Sequence, residues 1–387
     1  MRPTPVQVSD VKGCIQAAII TIRQDEYDAV ESRLDDSIPV VGGNNSYETA
    51  ILNTDYGDPI RVALTRCVGQ GNLSAQAVAN NIIHDLDPSW LLLVGIAGGV
   101  PDNEFSLGDV IITSRLHDFS FGAATQGGSR TYQTVGGPMH PEVVRFLQTK
   151  IGGKNLGRLI QIAGFLTRPE FLNPPSVFSP DEDLSTYLYG NVEFQAKVAG
   201  TINRRFPDGK RAGEIRVWSG PCANGNLLVK DTELLTTWQK SARQIVAMET
   251  ELAGVYEAAG SAGRQNYPVL AIRGLSDIVG LKRAPEWTQY ACDSAAAFSY
   301  AILRSGFISF SKEPSDLGKN ANELALSAVT RSGGNTTVAE SSGALNRWRE
   351  KLNYLDDQFA IASGAAQKFE LKAQIQEARA KIRELGG

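Results

Sequence analysis

The sequence predicts an α/β protein with a layered architecture, followed by a C-terminal helical hairpin. Short apolar runs alternate with amphipathic stretches over roughly the first 310 residues, and glycine-rich or acidic turns follow several of these runs. Alternating strands and helices are typical of a sheet covered by helices. The last segment, residues 344–387, instead shows the spacing of a helical seam.

The elements follow from the periodicity of apolar residues and from turn signals. Buried strands are predicted at 14–22, 60–68, 90–96, 110–114, 214–219 and 267–272. Helices are predicted at 25–34, 75–85, 140–150, 232–241 and 285–307, with another beginning at the acidic cluster 248–251. Between them, we interpret 1–13 as a leader, 120–138 as a loop and 165–213 as a helical or irregular insertion.

Composition places the chain among globular proteins and gives no sign of nucleic-acid binding. It has 387 residues, 42% hydrophobic and 21% charged, with a net charge of −4. No apolar run approaches the roughly 20 residues that span a bilayer. The first residues lack the apolar core of a signal peptide, so we expect a cytoplasmic protein that does not bind membranes.

Cysteine and histidine usage points away from a metal site. Cys14, Cys67, Cys222 and Cys292 are widely separated and form no CxxC pair. We therefore expect reduced, mostly buried thiols and neither a zinc site nor a cofactor.

The stretch from Val246 to Gly280 is the centre of the functional prediction. Glu249 lies where a helix begins, and Asp277 follows a buried strand. Loops at the carboxyl ends of strands line the ligand crevice of open α/β sheets, so we expect both carboxylates to face one pocket. Each acidic residue alone is equally well explained as favouring a helix N-terminus or capping a turn.

Two glycine-containing turns are further candidates for the pocket wall. The turn that ends at Gly71 joins a strand to a helix and exposes backbone N–H groups, which suits an anion or a polar ligand. A tight turn that needs positive φ explains it as well. Ala97 and Gly98 follow the strand 90–96, where small residues allow a ligand to lie against the backbone.

Four segments resemble the purine nucleoside phosphorylase and methylthioadenosine nucleosidase superfamily: Leu91–Val100, Leu107–Thr113, Val246–Ala259 and Val269–Asp277. They occur in the family's order, and the resemblance extends over roughly residues 14–310. It implies a mixed central sheet flanked by helices, cleavage of nucleoside N-glycosidic bonds, and assembly as a homo-oligomer.

The resemblance also implies the roles of individual residues. Asp277 matches the acid that protonates purine N7, and Glu249, preceded by Met248, matches the carboxylate that binds the ribose hydroxyls. Glu26 matches the carboxylate that activates the attacking water. The remaining matches support the acid or form the floor under the sugar: Arg273, Ser276, Ala97 and Gly98.

Hydrolysis is favoured over phosphorolysis on the same grounds. Arg23 and Arg66 lie near the positions of the family's phosphate-binding arginines, but Gln70 interrupts the second loop, and Glu26 favours water. Asp rather than Asn at position 277 is the family's pattern for 6-aminopurines, so we expect adenine to be released. A phosphate-dependent phosphorylase is the alternative.

The C-terminal region adds an interaction module. Residues 311–343 have linker composition, and residues 344–387 contain two apolar series of coiled-coil rhythm, which predicts an αα-hairpin. This hairpin is too small for a core of its own, so we expect it to bind a protein partner or another copy.

The pairing of a nucleosidase-like domain with a small helical module resembles effectors of prokaryotic antiviral and conflict systems with an effector-associated domain. That resemblance implies that ATP is a possible substrate, for which Lys230, Lys282 and Arg283 are candidate phosphate contacts. The third possibility is a non-catalytic nucleotide sensor that assembles through its tail.

Overall fold

A computed structural model describes residues 4–55, 57–124, 130–148, 173–179, 181–226, 232–261 and 266–306, together with residues 308, 372 and 375. The chain forms two compact units, one comprising 1–52 and 59–318 and the other 53–58 and 319–387. Of the predicted tail, Lys372 and Ile375 are helical, and the rest of the predicted linker and hairpin lies outside the described residues. The division into linker and hairpin therefore stays a prediction.

Eleven strands are described in the first unit. They are β1 (Val6–Gln7), β2 (Ala17–Thr21), β3 (Ile38–Val41), β4 (Tyr47–Leu52), β5 (Ile60–Arg66), β6 (Trp90–Gly99), β7 (Val110–Ala124), β8 (Arg130–Pro138), β9 (Val217–Asn224), β10 (Ala247–Glu249) and β11 (Val269–Ile278). All of them belong to one sheet, in which parallel and antiparallel pairs are mixed.

The described helices flank this sheet. They are α1 (Val8–Val11), α2 (Gln24–Glu31), α3 (Asn72–Leu86), α4 (Pro141–Phe146), α5 (Val192–Arg205), α6 (Thr232–Ser241), α7 (Leu252–Ser261) and α8 (Pro285–Arg304). Helix α8 packs on β11, β6 and α2, whereas α3 packs on α7. Among the helices described, none is long and apolar enough to cross a bilayer.

Strand β6 is the centre of the sheet. It pairs in parallel with β2 and β11 and antiparallel with β10. Beyond β10, the sheet continues through β9 and β7 and returns to β11, so these five strands close on themselves. This topology confirms the predicted α/β architecture with a mixed sheet, and it brings the ends of β6, β10 and β11 together.

The core consists of the apolar runs that the sequence predicts as strands. Residues 17–20 of β2, 91–94 of β6 and 269–272 of β11 are almost completely buried. Burial on both faces explains why these strands are continuous apolar runs and do not alternate. The four cysteines are free and buried, as predicted.

Several predictions about loops are wrong. β6 continues through Ala97 and Gly98 to Gly99, and β11 continues through Asp277 to Ile278, so these three residues lie within strands and not in loops after them. Residues 4–13 are part of the fold, because β1 pairs in parallel with β3 and Val11 is only 1% exposed. Within 120–138, β7 continues to Ala124 and pairs antiparallel with β8. This hairpin depends on backbone pairing, which local composition does not reveal: Phe121 at its centre is 62% exposed.

Candidate active site

The floor of the site is the paired ends of β6 and β11. Asp277 lies opposite Gly98, directly after an irregularity in the register of β11. A side chain at Gly98 would place its Cβ 3.1 Å from Asp277 Oδ2, so glycine lets the carboxyl lie against the backbone. Ser276, itself 1% exposed, donates a hydrogen bond of 2.7 Å from its hydroxyl to Asp277 Oδ1. These contacts orient Asp277 at one end of the floor.

Glu26 is held at the start of α2 by backbone groups. Its Oε2 accepts hydrogen bonds from the N–H groups of Ile22, at 2.8 Å, and Arg23, at 2.9 Å. Its Oε1 accepts one from Ile96 at 2.9 Å, which connects α2 to β6. Burial raises the pKa of Glu26, although Arg273 and the three N–H groups oppose this shift. The carboxyl is therefore fixed in place and binds a proton more readily than an exposed glutamate does.

Glu249 is occupied by protein contacts. Its Oε2 accepts hydrogen bonds from Arg273 Nη2 at 2.8 Å and from the N–H of Glu251 at 3.0 Å, and both of its oxygens accept from the N–H of Leu252. The side chain is only 1% exposed. Burial raises the pKa of Glu249 to about 7, with Arg273 opposing the shift.

These contacts argue against the predicted role of Glu249 as the carboxylate that accepts hydrogen bonds from two sugar hydroxyls. Glu251 lies two residues later, at the start of α7. Its Oε1 accepts hydrogen bonds from the N–H of Gly71, at 3.0 Å, and from the Thr250 hydroxyl, whereas no described residue donates to Oε2. Glu251 is the better candidate because this oxygen is available to a ligand.

A single cavity of about 1050 Å³ joins these groups. Its described lining contains six carboxylate residues: Glu26, Asp118, Glu249, Glu251, Glu257 and Asp277. Most of the other predicted site residues also line it: Met248, Ala97, Gly98, Gly71 and Ser276. The sequence thus predicted a set of separated residues that the fold brings together around one space.

The cationic residues are distributed differently. Arg273 is 1% exposed and lies behind the cavity wall, bonded to Glu249. Arg23 and Arg283 line the cavity, and Lys282 is exposed next to Arg283 but is not part of the lining. Lys230 lies outside the described residues.

Sequence reasoning missed a polar wall on the far side of Glu251. Asn72, the first residue of α3, accepts a hydrogen bond from the N–H of Gly254 at 3.1 Å and donates to Asn226 Oδ1 at 3.1 Å. Asp118 and Asn224 belong to the same wall and are joined by a hydrogen bond of 2.9 Å. Isolated asparagines carry little signal in a sequence, and only the pairing of β7 and β9 places Asn224 opposite Asp118.

Comparison with known proteins places this geometry in context. A family model described as the phosphorylase superfamily matches residues 16–305. Over 284 residues the chain is 25% identical to ATP nucleosidase Cap17 of Escherichia coli strain KTE188, covering 71% of this chain and 47% of that protein. It is 23% identical over 231 residues to a death domain-containing ATP nucleosidase of Amphimedon queenslandica, covering 59% of this chain and 36% of that protein. The chain thus spans about half the length, or less, of these two relatives.

A third relative matches along most of its length. The 5'-methylthioadenosine/S-adenosylhomocysteine nucleosidase of Desulfotalea psychrophila is 27% identical over 284 residues, covering 73% of this chain and 92% of that protein. The solved structure of a 5'-methylthioadenosine/S-adenosylhomocysteine nucleosidase from Colwellia psychrerythraea 34H in complex with adenine shares the fold. It has a TM-score of 0.50 and 17% identity, and the match covers 76% of this chain and 96% of that one.

Proposed function

Because the chain belongs to the phosphorylase superfamily, we propose that it hydrolyses the N-glycosidic bond of an adenine nucleoside or nucleotide and releases adenine. The observation that carries this proposal is the convergence of Glu26, Glu251 and Asp277 on one cavity above the backbone of Ala97 and Gly98. Three carboxyl groups around one space provide an acid, a sugar ligand and a base for the reaction.

Asp277 is the acid in this proposal. As the bond between C1' and N9 breaks, its electron pair moves to the purine, and a proton from Asp277 reaches N7 and neutralises the leaving group. The hydrogen bond from Ser276 fixes the direction of the carboxyl group. Supplying a proton to a leaving group from a positioned side chain typically accelerates a reaction by about 10² to 10⁴.

Glu251 is the sugar ligand. Its Oε2 accepts a hydrogen bond from a ribose hydroxyl, and its negative charge stabilises the positive charge that develops on the sugar. Its Oε1 is held by the N–H of Gly71, which joins the β10–α7 connection to the start of α3. Glu249 acts through Arg273, as a positioning residue in the cavity wall.

Glu26 is the base that activates water. The water oxygen forms the new bond to C1', and its proton passes to Glu26, whose pKa is raised by burial. Three backbone N–H groups hold this carboxyl, so it needs no rearrangement to accept the proton. The products are free adenine and the corresponding ribose.

The arrangement of charges supports water rather than phosphate as the nucleophile. The cations nearest Glu26 are already engaged, because Arg273 pairs with Glu249 and Arg23 pairs with Asp25 at 2.6 Å. A phosphate ion beside Glu26 would meet a buried carboxylate, and both of these guanidinium groups already have a carboxylate partner. Two negative charges next to each other repel strongly in a partly buried site.

Product analysis tests the proposal. The purified chain is incubated with adenosine, AMP and ATP, each with and without phosphate, and adenine and sugar products are separated by chromatography. We expect phosphate-independent release of adenine, lost in Asp277→Asn, Glu26→Gln and Glu251→Gln but kept in the exposed control Glu193→Gln. Formation of ribose 1-phosphate would indicate a phosphorylase, and binding without turnover would indicate a sensor.

The biological role is a further part of the proposal. Two relatives carry the name ATP nucleosidase, which supports ATP as a nucleotide substrate. The pairing of this domain with the predicted helical tail supports an effector role in antiviral defence, with the tail as the binding site for a partner or a second copy. Plaque assays on cells that express the wild-type chain or Asp277→Asn test this role. Equal protection by both would contradict it.

A further inference from the structure

Part of the cavity lining has no role in the proposed reaction, and we call the space beside it the distal chamber. We define this chamber by the lining residues Asn72, Asp118, Ser120, Gly254 and Glu257, from α3, β7 and α7. The argument rests on the proposed function, which puts the base at Asp277 and the sugar hydroxyls at Glu251. In that orientation the 5' substituent of the sugar is the part of the substrate that faces the chamber.

Asp118 is a buried carboxyl group in the lining of the chamber. It is 8% exposed, and its Oδ1 accepts hydrogen bonds from the N–H and hydroxyl of Ser120, at 3.1 and 2.6 Å, and from Asn224 Nδ2 at 2.9 Å. None of the described residues donates a hydrogen bond to its Oδ2. The carboxylate is thus held through one oxygen while the other is available to a ligand.

Asn224 keeps this orientation. It is fully buried, and its Oδ1 accepts a hydrogen bond of 3.2 Å from the N–H of Ala253 in the first turn of α7. Asp118, Asn224 and Glu249 lie side by side on neighbouring strands. The strand that carries Asp118 is therefore two positions across the sheet from the strand that leads to Glu251, about 10 Å at the usual strand spacing.

The charge of the chamber determines what it accepts. Its described lining contributes the carboxyl groups of Asp118 and Glu257 and no cationic side chain. We propose that Asp118 selects substrates by the charge of their 5' substituent, accepting neutral or positively charged groups and disfavouring a bare phosphate. A phosphate chain enters this chamber better as its complex with a divalent cation, which carries less negative charge.

Steady-state kinetics test the proposal. The ligands are adenosine, 5'-amino-5'-deoxyadenosine, AMP, and ATP with and without Mg²⁺. For the wild type we expect kcat/KM to be highest for the amino and hydroxyl compounds, lower for AMP and lowest for metal-free ATP. In Asp118→Asn the ratio of kcat/KM for AMP to kcat/KM for adenosine should rise about tenfold, the scale of removing one charge contact in a partly buried site. Preference of the wild type for AMP or metal-free ATP over adenosine, or an unchanged ratio in Asp118→Asn, would overturn the proposal.

A measurement on the wild type covers the case in which Asp118→Asn does not fold. Raising the ionic strength from about 0.05 to 0.5 M should narrow the difference in kcat/KM between AMP and adenosine, because salt screens the repulsion between Asp118 and the phosphate. Glu193→Gln, an exposed change on α5, is the control for a nonspecific loss of charge. A difference that does not respond to salt would contradict charge selection.

Binding separates this proposal from the proposed function. Calorimetry with the Glu26→Gln variant gives Kd for the same ligands whether or not the chain is an enzyme. The same order of affinities without adenine release from the wild type would refute the hydrolase and keep the charge selection. Adenine release without that order, or no binding of any ligand, would refute the charge selection.

Discussion

Gly95 lies against the carboxyl of Glu26, the base in the proposed reaction, and replacing it with alanine should abolish activity more than it destabilises the fold. Gly95 lies on β6, and a Cβ at this position would be 2.3 Å from Glu26 Oε1 and 2.7 Å from Arg273 Nη1. Nonbonded heavy atoms are comfortable only at about 3.5 Å. The carboxyl must therefore move by about 1 Å.

That movement breaks the contact on which the orientation of Glu26 depends. Its hydrogen bond to the N–H of Ile96 is 2.9 Å long, and lengthening it by about 1 Å exceeds the limit for a hydrogen bond. Misplacement of a reacting group by about 1 Å can cost about 10² in rate. Overpacking of a core typically costs about 1–3 kcal/mol of stability. We expect Gly95→Ala to lose at least about 10² in kcat/KM and to remain folded.

The assay compares kcat/KM for adenine release with the thermal unfolding midpoint of the same preparation. Gly200→Ala is the matched control, because Gly200 lies exposed in α5 and no atom is within 4 Å of its added Cβ. Its activity should equal that of the wild type, with a slightly higher Tm, since alanine favours a helix over glycine by about 1 kcal/mol. A folded Gly95→Ala with wild-type kcat/KM would refute the reasoning.

Three further predictions concern stability. Burial raises the pKa of Glu249 from 4.5 to about 7, so the folded protein retains a proton that the unfolded chain loses in this range. The free energy of unfolding should therefore fall as the pH rises from 4.5 to 7. Glu249→Gln should flatten that dependence in urea titrations. A free energy of unfolding that rises through this range would contradict the assignment. Gly254→Ala should lower Tm strongly, because its Cβ would lie 2.0 Å from the carbonyl oxygen of Asn72. Gly260→Ala on the same helix should leave Tm unchanged, because its Cβ meets no atom within 4 Å. Equal Tm values for the two variants would count against this packing. Asp109→Asn should cost about 3–5 kcal/mol in urea unfolding, because it leaves two buried arginines without their shared partner, and a loss under about 1 kcal/mol would mean that the charge is dispensable.

The strands and helices of the core could be predicted because their signals are local. The strand predicted at 90–96 and the helix at 232–241 correspond to β6 and α6, since an apolar run or an amphipathic period is sufficient to specify them. The hairpin of β7 and β8 could not be predicted, because its polar and small residues acquire strand structure by pairing with each other. Backbone pairing between such residues leaves no periodic pattern in a sequence.

In the candidate site, too, some residues could be predicted from the sequence and others depend on contacts in the folded chain. Asp277 and Glu26 could be predicted from their motifs, and both line the cavity. The motif pointed to Glu249 as the sugar-binding carboxylate, whereas the contacts favour Glu251, two residues later and also beside the start of a helix. That distinction depends on Arg273, which comes from β11 and engages Glu249. A contact between residues 24 positions apart in the chain becomes visible only in three dimensions.

The fold must also hold several carboxyl groups near one another and balance their negative charges. Glu26, Glu249 and Glu251 all influence the same guanidinium, that of Arg273. One cation cannot neutralise three carboxylates, so the backbone supplies the rest: N–H groups at the starts of α2, α3 and α7 donate to them. The N-terminus of a helix favours a negative charge through its exposed N–H groups and dipole. Converging helix starts thus allow an acidic site to be built in a largely apolar sheet. Glu26 comes from the start of the helix after β2, and Glu249 and Glu251 come from the β10–α7 connection, which explains why these carboxylates are distant in sequence.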